Sequence, residues 1–333
     1  MQKFLIIQTA FIGDVVLATS LVEKLHFHFP EAQIDFLLRK GNESLLADHP
    51  LLHDVIIWDK QKNKQLNLLK TIRSVRKNKY DKVINVQRFA ATGLITALSR
   101  AKEKIGFDKN PFSFLFTEKV KHVITDGRHE IDRNTELVKR FTDASVKRPR
   151  LYPPPADEAR MMSFKQNEYI TVSPSSVWFT KQYPKDKWVE FINRVPSSYT
   201  IYLLGSKSDG KLADEIRNGI NHPQVINLCG QLSFLQSAAL MKGAVMNYVN
   251  DSAPMHFASA VNAPVTAVYC STLPSFGFGP LSDNSRIIEI DYKLYCRPCG
   301  LHGRKQCPEG HFKCAYDISV EQLTAALATR QVI

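Results

Sequence analysis

Lys3-Phe4-Leu5-Ile6-Ile7-Gln8-Thr9-Ala10-Phe11-Ile12-Gly13-Asp14 is the stretch that decides the fold. Residues 3–8 form a short apolar run with the composition of a buried parallel strand. Residues 9–14 are a loop with one glycine and one carboxylate, and residues 15–29 carry a helical pattern. A strand, a tight loop and a helix in that order begin an open α/β sheet, in which ligands bind outside the carboxyl ends of the strands. A dinucleotide loop would carry a run of glycines here, so that the backbone can approach a pyrophosphate. A loop with Gly13 alone is better built to present Asp14.

The alternation continues outward from that stretch. Strands are predicted at 4–8, 33–38, 54–58, 82–86 and 104–107, and helices at 15–29, 43–47, 65–77, 92–99 and 130–142. Arg148-Pro149-Arg150-Leu151-Tyr152-Pro153-Pro154-Pro155 follows. Consecutive prolines cannot continue a helix or a central strand, and they read as a stiff extended linker. A second alternation places strands at 169–173, 200–204, 225–227, 244–249 and 265–269. Its helices fall at 185–194, 211–219, 233–241 and 253–261, with a last helix at 319–329. The expectation is an α/β protein of two Rossmann-like, doubly wound domains, 1–150 and 157–333, joined by a proline linker at 151–156. A cleft between two such halves is the natural place for a ligand.

Composition narrows the class. At 333 residues the chain can bury two cores, and its 44% hydrophobic content fits a soluble globular protein. No apolar run approaches the roughly 20 residues of a membrane span. The first strand is too soon interrupted by Gly13-Asp14 to read as a signal peptide, so a cytoplasmic protein is expected. The formal charge is +12. Much of it lies in residues 59–82, where Lys60, Lys62, Lys64, Lys70, Arg73, Arg76, Lys77, Lys79 and Lys82 face only Asp59 and Asp81. That run is either a solvated helix face or a surface for nucleic acid, a phosphorylated substrate or an anionic bilayer. No zinc-finger or RNP-like motif favours nucleic acid. Phe112-Ser113-Phe114-Leu115-Phe116 reads as a buried strand in preference to a bilayer contact.

Three loops follow predicted strands and carry polar groups. Asp14 in the first is either a helix cap or a general base that takes a proton from an attacking hydroxyl. The second is Ser173-Pro174-Ser175-Ser176-Val177-Trp178-Phe179-Thr180-Lys181-Gln182-Tyr183-Pro184-Lys185. Its hydroxyls and backbone N–H groups suit phosphate, which Lys181 would neutralise; the plainer reading is a surface lysine before a helix start. The third, Asn250-Asp251-Ser252-Ala253-Pro254-Met255-His256, opens a helix, with Pro254 in its first turn. The positive end of that helix suits a diphosphate, and His256 either contacts the ligand or packs.

Four of the six cysteines form Cys296-x2-Cys299-x7-Cys307-x6-Cys314. The first pair has metal-ligand spacing and the second is looser than a zinc ribbon. Stable disulfides are disfavoured in a cytoplasmic chain, which leaves structural zinc and packed reduced thiols both open. His302 and His311 are spare ligands. Cys229 and Cys270 read as core residues.

Taken in order, Ile12-Gly13-Asp14, the segment from Ser175 to Pro184 with Lys181, Asp251-Ser252-Ala253-Pro254-Met255-His256, and Ala263-Pro264-Val265-Thr266-Ala267-Val268-Tyr269 resemble a known family. It is the bacterial ADP-heptose:lipopolysaccharide heptosyltransferases, and the resemblance runs over nearly the whole chain. It implies a GT-B glycosyltransferase, with the acceptor held by the first domain and the donor mainly by the second. It implies inverting transfer of a sugar from a nucleotide-diphosphate donor, with ADP-heptose favoured, onto a lipopolysaccharide core or related anionic glycolipid. No metal or cofactor is implied for catalysis. By position, Asp14 would be the base, and Lys181 would hold the donor phosphates with Ser175 and Ser176. Asp251, Ser252, Ala253 and His256 would line the donor helix N-terminus, and Gly13 and Arg88 would lie on the acceptor side. Similar Cys-rich tails occur in some relatives.

Two departures stand out. Ala253 occupies a position where the family often has glycine. Lys207 lies near the place of an acidic ribose ligand, for which Asp209 could substitute. The other readings are a GT-B transferase with another nucleotide sugar, a nucleotide-sugar epimerase, or a basic nucleotide- or nucleic-acid-binding protein. For the favoured reading no nucleic acid partner is expected. A glycolipid acceptor would bring peripheral contact with the cytoplasmic face of the inner membrane.

Overall fold

A computed structural model of the chain describes residues 1–124 and 126–328. The chain divides into two compact units, Met1–Tyr152 and Pro153–Ile333.

The first unit contains β1 (Lys3–Ile7), α1 (Ile12–His28), β2 (Gln33–Arg39), β3 (Asp54–Trp58), α2 (Lys64–Asn78), β4 (Lys82–Asn85), α3 (Ala90–Ala97), β5 (Glu103–Phe107), β6 (Glu118–Val120) and α4 (Glu130–Glu136). Its six strands are all parallel, in the order β3-β2-β1-β4-β5-β6. Crossover helices cover both faces of such a sheet, so its central strands read as continuous apolar runs. Phe4, Leu5, Ile6 and Ile7 are fully buried on that account. Leu5, Ile7, Leu37, Trp58, Ile72 and Val83 form one side of the core.

The second unit contains α5 (Pro155–Met161), β7 (Tyr169–Ser173), α6 (Lys185–Asn193), β8 (Thr200–Leu203), α7 (Gly210–Asn218), β9 (Val225–Asn227), α8 (Phe234–Gly243), β10 (Met246–Asn250), α9 (Ala253–Ala260), β11 (Val265–Val268), β12 (Ser285–Ile288), α10 (Lys313–Tyr316) and α11 (Val320–Ala328). Its parallel sheet runs β12-β11-β10-β7-β8-β9. Counted from the first strand of each unit, both sheets have the order 3-2-1-4-5-6. The connections reverse direction between β1 and β4, and again between β7 and β10. At each reversal the loops leaving the carboxyl ends diverge and leave an open crevice.

Several expectations need correction. β6 and β12 were not predicted, because they are short edge strands with mixed exposure and no apolar run. Residues 43–47 form a single 3-10 turn, Glu43–Leu46. The stretch 151–156 is not extended throughout: Pro154 is extended, but Pro155 begins α5. The fixed φ of proline and its missing N–H suit the first residue of a helix. The segment 112–116 is not a buried strand. It contains a 3-10 turn, Ser113–Leu115, with Phe114 70% and Leu115 46% exposed. Thr329, the expected end of the last helix, lies outside the described residues. Among the described residues no helix is long and apolar enough to cross a membrane.

Candidate functional site

In the first unit the reversal point is flanked by the loop from β1 to α1 and the loop after β4. Phe11 occupies the N-cap position of α1 and supplies no side-chain cap. Asp14 is therefore the third residue of the helix. The backbone N–H groups of Phe11 and of Asp14 itself lie near enough to favour its anion. Burial and then the nearby charge of Glu130 raise Asp14 to about 6, against the backbone N–H groups and Arg88, which favour the anion.

Glu130 opens α4, which packs on α1. Burial raises its own carboxyl, although Arg133 Nε donates to Oε2 at 2.8 Å. Arg133 is 2% exposed, and its Nη1 also donates to the Arg128 carbonyl at 2.6 Å. Arg88 is exposed beyond β4. Burial lowers His122 to about 4, with Arg88 and Arg133 adding to the effect, so this imidazole is neutral near pH 7. The structure thus gathers the predicted Asp14, Gly13 and Arg88 at one strand edge, and adds Glu130, Arg133 and His122.

A buried amide network holds these loops. The Gln87 side-chain amide donates to Gln8 Oε1, and that oxygen also accepts the Ala10 N–H at 3.2 Å. Asn85 Oδ1 accepts the Gln87 N–H at 2.8 Å. Asn110 Nδ2 donates to the carbonyls of Gln87 and Phe89 at 3.0 and 3.1 Å. A Cβ on Gly93 would fall 2.0 Å from Asn110 Oδ1, so this contact requires a glycine.

In the second unit the reversal point is flanked by the loop at 174–184 and by the junction of β10 and α9. Lys181 Nζ lies 2.6 Å from Asp251 Oδ2, and Thr272 Oγ1 donates to the same oxygen at 2.6 Å. Asn250 ties the two loops together. Its Nδ2 donates to the carbonyls of Pro174 and Ser175 at 2.8 and 3.4 Å, and its Oδ1 accepts the Tyr183 N–H at 2.9 Å. Ser176 contributes its carbonyl to Gln182 Nε2 at 2.7 Å. Ser252 is the N-cap residue of α9, but its hydroxyl donates to the Asn250 carbonyl at 3.3 Å and makes no cap bond. The first turn of α9, beginning at Ala253, therefore offers backbone donors and the positive dipole end to an anion. His256 is buried in this helix, 6% exposed. Asp209 is engaged locally: its Oδ2 accepts the Ser206 N–H at 2.7 Å and hydroxyl at 2.6 Å.

The cysteine-rich segment lies behind Lys181. The Thr180 N–H donates to the Arg304 carbonyl at 3.1 Å, and the Arg304 N–H donates to Thr180 Oγ1 at 2.7 Å. Gly303 has φ +77, and a Cβ there would fall 2.9 Å from Lys181 Cγ. Cys296, Cys299, Cys307 and Cys314 line a cavity of about 370 Å³ together with Arg297, Arg304 and His311. Among the described residues, however, no three Cys, His, Asp or Glu side chains gather as a metal-ligand set. The structure therefore lends no support to the zinc expectation at Cys296, Cys299, Cys307 and Cys314. Cys314 belongs to the apolar core, and Cys296 and Cys307 pack against it. Burial raises the thiols of Cys296 and Cys299, and pushes Cys314 up to about 12.

Sequence reasoning missed Glu130, Arg133, His122, Asn250, Thr180, Thr272 and Gly303. Asn250 and Thr180 each adjoin a residue that was singled out, and adjacency was a usable signal. Glu130 looked like an ordinary acid at a helix start. Nothing local marks Thr272.

Comparison with known proteins gives a consistent picture. Residues 68–312 match the profile of Glycosyltransferase family 9 (heptosyltransferase). Lipopolysaccharide heptosyltransferase 3 of Escherichia coli is 27% identical over 290 residues, covering 82% of this chain and 85% of that relative. The glycosyl transferase family 9 protein of Veillonella parvula superposes with a TM-score of 0.86 at 20% identity, over 98% of this chain and 96% of the other. The Escherichia coli ADP-heptose LPS heptosyltransferase II gives 0.80 at 20% identity, over 100% of both chains. These likenesses bear out the expected fold class, the two-sheet α/β fold of GT-B glycosyltransferases.

Proposed function

The chain belongs to glycosyltransferase family 9, the heptosyltransferases, and from that premise we propose that it moves heptose from ADP-heptose onto a lipopolysaccharide core acceptor with inversion. The relatives' names support this choice of donor and acceptor. The observation that carries it is the division of charge between the two reversal points. One presents a carboxylate raised to about 6, and the other presents Lys181 beside a helix start that Ser252 leaves uncapped.

In this reading the acceptor hydroxyl gives its proton to Asp14 as its oxygen bonds to the anomeric carbon. The bond from that carbon to the diphosphate oxygen breaks with its electron pair, and ADP leaves. A base with a pKa near the working pH contributes on the order of 10²–10⁴-fold. The departing charge is met by Lys181 and the first N–H groups of α9, starting at Ala253, with Ser175, Ser176 and Ser252 as polar neighbours. An arriving diphosphate competes with Asp251 for Lys181, while Thr272 still satisfies Asp251. His256 lines the same helix, and Asp209 borders the nucleotide from the loop after β8. Arg88 and the turn at Gly13 receive the anionic acceptor. The positive charge comes from the protein itself, which suits a reaction without a catalytic metal or cofactor. Residence at the cytoplasmic face of the inner membrane belongs to the same proposal.

The direct test is product analysis. The protein is incubated with ADP-heptose and a delipidated, truncated core oligosaccharide, and the product is examined by mass spectrometry and NMR. The expected outcome is a gain of one heptose with inverted anomeric configuration. Transfer only from a UDP- or GDP-sugar would overturn the donor assignment, and retained configuration would overturn the mechanism.

A further inference from the structure

The helix α2 is apolar on two sides. Leu68, Thr71, Ile72 and Val75 follow the three- and four-residue spacing of one helix face and pack into the core. The opposite face carries Leu66, Leu69, Lys70, Arg73 and Lys77 at the same spacing. There Leu66 is 49% and Leu69 51% exposed. Lys62 precedes the leucines just before the helix starts. The segment from residue 60 to residue 80 contains no Asp or Glu. Among the described residues none of Lys62, Lys64, Lys70, Arg73 and Lys77 has a carboxylate partner. Surface lysines nearby do have one: Lys40 pairs with Asp59 at 3.0 Å and Lys102 with Asp81 at 2.7 Å.

A solvated helix would not need two half-exposed leucines within a cluster of unneutralised cations. A nucleic-acid surface would be expected to offer aromatic side chains for stacking. A helix that lies in a membrane interface needs what α2 has, an apolar strip bordered by lysine and arginine. We propose that the outer face of α2 docks this protein on an anionic bilayer, with Leu66 and Leu69 entering the interface and Lys62, Lys70, Arg73 and Lys77 facing lipid phosphates. This deepens the proposed function, on which it rests for the presence of a lipid-anchored acceptor, and it names the surface that meets the lipid.

The test is flotation of the full chain with vesicles of phosphatidylglycerol and phosphatidylcholine, against vesicles of phosphatidylcholine alone. Two variants are compared, L66S/L69S and K70Q/R73Q/K77Q, both at exposed positions, with thermal unfolding as the control for folding. The wild type is expected to float only with the anionic vesicles, and less so at high salt. The charge variant should partition about a hundred-fold more weakly, and the leucine variant about ten-fold. Turnover on a delipidated, soluble acceptor should be unchanged in both. The proposal fails if the wild type ignores anionic vesicles, or if both variants float like the wild type. It fails equally if the variants lose turnover on the soluble acceptor, which would assign this face to acceptor recognition. Flotation by a protein that transfers no heptose would keep the docking face and remove the proposed function.

Discussion

The two sheets have the same strand order, yet their reversal points carry opposite chemistry. In the first unit Asp14 pairs with no cation among the described residues. Burial and Glu130 raise its proton affinity, and Arg88 only partly offsets them. In the second unit Asp251 binds Lys181 at 2.6 Å and Thr272 at 2.6 Å, and so serves as an anchor for a cation. In the proposed reading one carboxylate accepts a proton, and the other holds a positive charge for the diphosphate. Topology supplies the crevice in both units; the residues around each carboxylate decide what that crevice does.

The comparison breaks most directly at Asp14. Asp14→Asn keeps the size and much of the hydrogen bonding, but removes the proton acceptor. Turnover is expected to fall at least 10²–10⁴-fold, while the affinity for ADP, measured by calorimetry, stays near that of the wild type. Near-wild-type turnover in this variant would remove the base assignment. Lys181→Met addresses the other half. Loss of a charge-assisted contact to phosphate is worth roughly ten- to a hundred-fold, and is expected as weaker ADP binding and lower kcat/KM for the donor. The pH dependence, set by the first unit, should keep its acidic limb. A displaced limb in Lys181→Met would mean that the two charge systems are not independent.

Much of this arrangement was legible in the sequence, and the reasons can be stated by residue. Buried parallel strands announce themselves as apolar runs, so 3–8 and 169–173 were readable. Edge strands do not, and Ser285–Ile288, with exposure on alternate residues, was missed. Asp14, Lys181 and Asp251 each follow a predicted strand, where an α/β sheet places its ligands. The Lys181–Asp251 pair was not foreseen, because it joins loops 70 residues apart and depends on β7 and β10 being neighbours. Glu130 was invisible for the same reason, as its effect on Asp14 arises only when α4 packs on α1. The cysteine spacing was informative only in part. It reports which ligands can be supplied, but not that all four thiols line one cavity while Cys314 also belongs to the core.

The smallest effect is also the sharpest measure of the difference between the two units. With Asp14 raised from 3.8 to about 6, kcat/KM should rise with pH through about 6 and level off above it, because only the carboxylate can take a proton. The same shift makes the folded state bind the proton more tightly than the unfolded chain. This group's contribution to stability is therefore full below pH about 4 and is lost as pH rises through about 6. Glu130→Gln removes the repelling charge, so the acidic limb should move to lower pH, with a modest fall in the plateau as the base weakens. Arg88→Gln removes an attracting charge and should move the limb the other way. Opposite movements, read from kcat/KM against pH, would identify Asp14 as the titrating group held between these two neighbours. If both variants keep the wild-type limb, the titrating group lies elsewhere, and the contrast between a poised carboxylate in one unit and a paired one in the other loses its kinetic meaning.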